Sequence, residues 1–160
     1  MGSGQQLQNV IAGQFEDVWD MFQEAIEAFP DERWRKGDVT YLTPARIAYH
    51  IIETIDYYGR QNIDTFVWGH RAGINWETAE QGDLPSRNET LAYFDDVREA
   101  NGIWLCVLGT EGLLAEDVVF HDEGMTHLDR VLYMMRHTHQ HLGELCAELR
   151  RNELSRPTWR

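Results

Sequence analysis

Apolar side chains recur every three or four positions along four long stretches of this chain, which is the spacing of one face of an α-helix. The first stretch runs from Gln5 to Phe29 and carries Leu7, Ile11, Phe15, Val18, Phe22 and Ile26. Pro30-Asp31 ends it, and a loop follows through Gly37-Asp38. The second opens at Thr43-Pro44, with Thr as the cap and Pro at the first helical position. Ile47, Ile51, Ile55, Tyr58, Asn62 and Phe66 form its stripe, which predicts an end near Trp68-Gly69. Residues 71–85 read as a long loop. Ser86 with Glu89 three positions on is a capping box, and it starts a third helix that reaches about Leu108. Gly109 and Gly112 mark its end, and the segment from Leu113 to Met125 is irregular. Thr126 followed by Asp129 opens a fourth helix to about Asn152, with Leu128, Leu132, Met135, Leu142, Cys146 and Leu149 on one stripe. No strand pattern competes. The prediction is an all-α fold, a four-helix bundle with long crossover connections, with residues 1–160 as a single domain.

Composition narrows the setting. The chain has 160 residues, of which 42% are hydrophobic, enough for a packed core. No apolar run approaches the roughly 20 residues that span a bilayer, and the start lacks a secretory pattern. A formal charge of −13 repels phosphates and anionic lipids, which argues against nucleic-acid and membrane-surface partners. Cys106 and Cys146 lie far apart without CxxC spacing and read as a pair of buried thiols in a cytoplasmic protein.

The candidate chemistry sits in the last helix. His137 and His141 are four residues apart, so on a helix they share a face, separated by roughly 40° of rotation and about 6 Å of rise. Two imidazoles so placed can share one metal ion. His50, on the second helix, is the candidate third. At about 100° per residue, His50, His137 and His141 lie about 120°, 150° and 110° from the centres of their apolar stripes. This leaves two readings: three solvated surface histidines, or a site on the flank of the bundle facing a groove. His139 falls near the apolar stripe and reads as a core or interface residue. His70 reads as a cation at a helix end, His121 as a loop residue, and His127 as part of the first turn of the last helix. The Glu-x-x-His pairs of ferritin-like di-iron bundles and the His-Glu-x-x-His of zinc peptidases are absent.

Several segments resemble one family. Phe29-Pro30-Asp31-Glu32-Arg33-Trp34, Thr43-Pro44-Ala45-Arg46-Ile47-Ala48-Tyr49-His50-Ile51 and His137-Thr138-His139-Gln140-His141-Leu142-Gly143-Glu144-Leu145 are similar to the DinB-like (YfiT-like) metalloproteins. Members usually carry Arg and Gln where this chain has Leu142 and Glu144. The resemblance implies a bundle of unusual connection order, often a homodimer, with a divalent metal (zinc or nickel) held by His50, His137 and His141. It also implies a metal-dependent S-transferase or isomerase acting with a low-molecular-weight thiol and a small-molecule substrate. Three neutral imidazoles leave such an ion its double charge and an open position, which suits activation of a thiol or of water. Glu53 and Glu144 each follow a histidine by one turn, as candidate catalytic or imidazole-orienting carboxylates. Tyr57 lies two turns from His50 and is a candidate for binding the thiol cofactor. The alternatives are a metal-stabilised structural or stress-response dimer and a metal-dependent hydrolase.

Overall fold

A computed structural model describes residues 3–119 and 124–160, so the sequence reading of His121 lies outside the described residues. Four long helices dominate: α1 (Ser3–Ala28), α3 (Pro44–Tyr58), α4 (Arg87–Leu114) and α5 (His127–Arg151). A short helix, α2 (Asp31–Trp34), follows α1 where the sequence suggested only loop. Its Trp34 is buried and donates its indole N–H to the Pro85 carbonyl at 3.0 Å, which fixes the turn to the start of α4.

Side-chain pairs give the helix directions. Gln8 donates to the Leu105 and Cys106 carbonyls at one end of α1, and Arg87 donates to the Glu27 and Phe29 carbonyls at the other, so α1 and α4 are antiparallel. Tyr58 packs on Tyr133 while His50 meets His137 and His141, so α3 and α5 are antiparallel. Tyr49 and Asp56 both reach Tyr93, and Gly59 abuts Asn101, so α3 and α4 run parallel. The order is up, down, down, up. Between the parallel helices the chain must travel back the length of the bundle. The 59–86 connection makes that return.

α1 buries Ile11, Phe15, Val18, Phe22 and Ile26 of the stripe its sequence announces, with Leu7 half-buried and Trp19 added to the core. Trp19 and Phe22 meet Phe94 of α4 edge-on, with ring centroids 6.3 and 5.1 Å apart. Around α3 there is no polar face at first. From Pro44 to Ile55 all its residues are buried except His50.

Five expectations are corrected. α3 stops at Tyr58, ten residues before the predicted end. Gly59 is its C-cap, and a Cβ there would collide with the buried Asn101 side chain of α4, so the chain turns away at the one residue that fits. Thr43 makes no side-chain cap; its hydroxyl donates to Thr40 O at 3.0 Å. α4 continues past Gly109 to Leu114, kinked where Gly109 takes φ 58° and ψ −173°. The buried stripe of α5 is Val131, Met134, Thr138, Leu142, Leu145 and Leu149, rotated by about 60° from the predicted one. The rotation exposes Leu132 and His139, so His139 is not a core residue. Cys106 is exposed and Cys146 only half-buried, so the buried-thiol reading fails, although both are free.

Asp117, shortly after α4, is tied to α5 by a buried ion pair. Arg130 Nε lies 2.8 Å from an Asp117 carboxylate oxygen, and Nη1 donates to Arg60 O just beyond α3. The guanidinium also covers the Trp104 ring at 4.7 Å.

Both predicted N-terminal signals form complete boxes, Ser86 with Glu89 and Thr126 with Asp129. The Ser86 hydroxyl and amide hold the Glu89 carboxyl below its ordinary range. A group depressed in this way stabilises the fold above its unfolded pKa and loses that contribution as pH falls through the folded value. Ser86→Ala is therefore expected to lower the unfolding free energy by about 1 kcal/mol at neutral pH, with the deficit shrinking in acid. Urea unfolding at a series of pH values measures both.

Candidate metal centre

His50 is the one position in the first three turns of α3 that reaches the surface, and α5 lies opposite it. The rotated register of α5 turns His137 and His141 toward α3 and turns His139 away. The Nε2 atoms of His50 and His137 are 3.1 Å apart. One ring nitrogen from each of His50, His137 and His141 lies within 4.8 Å of the others. The rings meet edge-to-face, with centroids 4.6 to 4.8 Å apart.

Each imidazole is held by its surroundings. Trp76 lies against His50 at 4.0 Å and 34°, and Tyr133 stacks along His137 at 6.1 Å and 27°. Glu144 accepts from His141 Nδ1 at 2.7 Å, which leaves Nε2 of His141 as the ring nitrogen free to meet an ion. Burial, and then the neighbouring imidazoles, pushes His50 down to about 3 and His137 down to about 4. Both rings are neutral at physiological pH, the form that carries a free nitrogen lone pair.

This donor set fits a divalent transition metal. Three nitrogens around a tetrahedral ion with bonds of about 2.1 Å stand about 3.4 Å apart. The observed spacing reaches that after side-chain shifts on the order of 1 Å. Three such ligands would leave one position of a tetrahedral ion open, as in catalytic zinc sites.

The return crossover supplies one wall. It runs back along α3 and is pegged by two buried charged residues of that helix, Arg46 and Glu53. Arg46 donates to the carbonyls of Thr40, Trp76 and Ala79. Glu53 accepts from the Gly69 amide. Burial raises the Glu53 carboxyl above its ordinary range. Gly69 sits at φ 81°, where a Cβ would strike the Ile74 carbonyl. The predicted site carboxylates thus have different settings: Glu144 against His141, and Glu53 beneath the crossover. Tyr57 packs against Tyr58, Phe66 and Trp68, on the crossover side of α3. His70, expected at a helix end, lies instead in this crossover, exposed, with Nε2 3.5 Å from Asp56. His127 opens α5 as predicted and faces Trp104. Trp76, Tyr133 and the pegging role of Arg46 were not found from sequence. The available signals were an arginine and a glutamate seven apart on an otherwise apolar helix, and a tryptophan inside a loop.

A model of the DinB superfamily matches residues 14–145. The chain belongs to the DinB superfamily. The match takes in α3, the return crossover, and α5 through His141. Among curated proteins no match to the chain was found. The described residues of this DinB-superfamily protein contain no helix long and apolar enough to cross a membrane.

Gly69→Ala is expected to release the crossover without melting the bundle. The strain at positive φ and the lost seat on Glu53 cost more than about 1 kcal/mol locally. Amide exchange across residues 69–79 should speed up, and the near-ultraviolet dichroism of Trp76 should change. The helical far-ultraviolet signal should stay. Unchanged exchange in that segment would show that the crossover is held by other means.

Proposed function

We propose that His50, His137 and His141 bind a divalent zinc or nickel ion, and that the protein uses it to activate a low-molecular-weight thiol for transfer to a small electrophile or for isomerisation. The observation that carries this reading is the convergence of three imidazole nitrogens, two of them on rings kept neutral by burial, at the one surface-reaching position in the first three turns of α3. When bound, such an ion supplies Lewis acidity that lowers the pKa of a thiol, or of water, at its open position.

The chain's own residues have separate tasks in this proposal. The three histidines hold the ion and leave one side free. Glu144 keeps the His141 proton on Nδ1 and fixes the ring's direction. Trp76 and Tyr133 flank His50 and His137 and limit water on two sides. Glu53 acts as a positioning residue, through the crossover that carries Trp76. Tyr57, packed against Tyr58, Phe66 and Trp68, is assigned in this proposal to contact the tail of the thiol. The same proposal takes the protein as a cytoplasmic homodimer. Val10 of α1 with Ile103 and Val107 of the adjoining α4, all exposed and apolar, supports an interface there.

The test is elemental analysis of untagged protein, followed by thiol titration of the cobalt- or nickel-loaded form. His50→Ala, His137→Ala and His141→Ala should each empty or strongly weaken the site. His139→Ala should leave metal content intact. Glu144→Ala should weaken binding by about 10- to 100-fold. A new sulfur-to-metal charge-transfer band on thiol addition supports the activating role. An unmoved spectrum with a raised melting temperature replaces it with a purely structural ion, and an absence of stoichiometric metal overturns the proposal.

A further inference from the structure

A cavity of about 620 Å³ lies within the return crossover and shares Trp76 with the surroundings of His50. Its walls are aromatic and aliphatic: Trp68, Trp76 and Ile74. Its polar side chains are Glu53, which is buried, Glu77, Asn75 and His70. No lysine or arginine lines it. The one lining residue able to carry positive charge, His70, already faces Asp56 at 3.5 Å.

The walls are held in place. Trp68 lies on Tyr57 and Phe66, with centroids 4.9 and 5.1 Å apart. Trp76 is fixed by its contact with His50 and by Arg46 on its carbonyl. The Glu53 carboxylate is fixed by the Gly69 amide. Two tryptophan rings in the lining can attract a cation through their quadrupoles, and two carboxylates without a basic neighbour in the lining favour the same sign of charge. An anion would be repelled here and a neutral apolar group would gain nothing from the carboxylates.

We propose that this cavity binds a small organic cation, an ammonium on a compact apolar frame, with Trp68 and Trp76 as its walls and Glu53 and Glu77 as its counter-charges. The inference does not depend on the metal reading. It is expected to hold in protein treated with a chelator as well as in metal-loaded protein.

Choline, its uncharged carbon isostere 3,3-dimethylbutan-1-ol, and the anion 3,3-dimethylbutanoate separate the possibilities. Titration calorimetry, with the indole N–H signals followed by NMR, should show saturable choline binding. The alcohol should bind about 5-fold or more weakly, and the anion not at all. Glu77→Gln, at an exposed position that the fold does not use, should weaken choline by about 3-fold or more while leaving the alcohol unchanged. Trp68→Ala should weaken choline and shift the remaining indole signals of the cavity. Equal affinity for choline and the alcohol would overturn the proposal in favour of a plain apolar pocket. Preference for the anion, or no saturable choline binding by the folded protein, would overturn it outright.

Discussion

A parallel pair of consecutive helices forces this chain to run back along its own length, and the attachment of that return segment to α3 governs much of the structure around the histidines. An irregular segment laid on a buried helix carries amides and carbonyls that must find partners. Apolar side chains offer none. α3 therefore buries an arginine and a glutamate on the side it turns to the crossover. Burying either charge alone is costly. Arg46 offsets that cost by donating to three carbonyls, and Glu53 by accepting an amide hydrogen. The fit is sharpened by Gly69, whose positive φ places the amide over Glu53 while leaving no room for a side chain.

The histidine cluster is a consequence of the same arrangement. With neighbours on nearly every side of the first three turns of α3, one position there is left for a partly accessible side chain, and His50 holds it. The crossover brings Trp76 onto that ring from one side and α5 brings two imidazoles from the other. Burial between these elements, with the neighbouring imidazoles, lowers the pKa of His50 and His137, so both rings stay neutral well into acid. The packing that orders the loop thus also keeps the nitrogen lone pairs free.

The helices were legible wherever periodicity and capping agreed. α1, the Ser86 start of α4 and the Thr126 start of α5 are examples, because each depends on residues within a turn or two of one another. The end of α3 was not legible, since Tyr58, Asn62 and Phe66 prolong the apolar rhythm past the true stop. The helix is capped at Gly59, a position that the Asn101 side chain, more than forty positions away, leaves open only to glycine. The face of α5 was misjudged for a related reason. Thr138 stands on its buried stripe with its hydroxyl bonded to Met134 O, while Leu132 faces solvent. Polarity alone assigns both to the wrong side. The histidine trio was readable as spacing on α5 plus one residue on α3. The pairing of those helices was visible only through resemblance to a family.

Electrostatics bear on which thiol such a site would accept. The chain carries −13 overall, and a thiol bearing several carboxylates approaches against that field. Screening at physiological salt confines the effect to roughly 8 Å, so the residues near the histidines decide. Arg46 is buried and committed to three carbonyls. Arg60 is paired with Asp56, and Arg130 with Asp117. Arg136, over the face of Tyr133, is the remaining arginine beside His137. One exposed guanidinium balances one carboxylate at most. If the site takes a thiol as proposed, the surroundings of the three imidazoles would favour one of low negative charge over a polyanionic one, through residues whose first duty is to hold the fold.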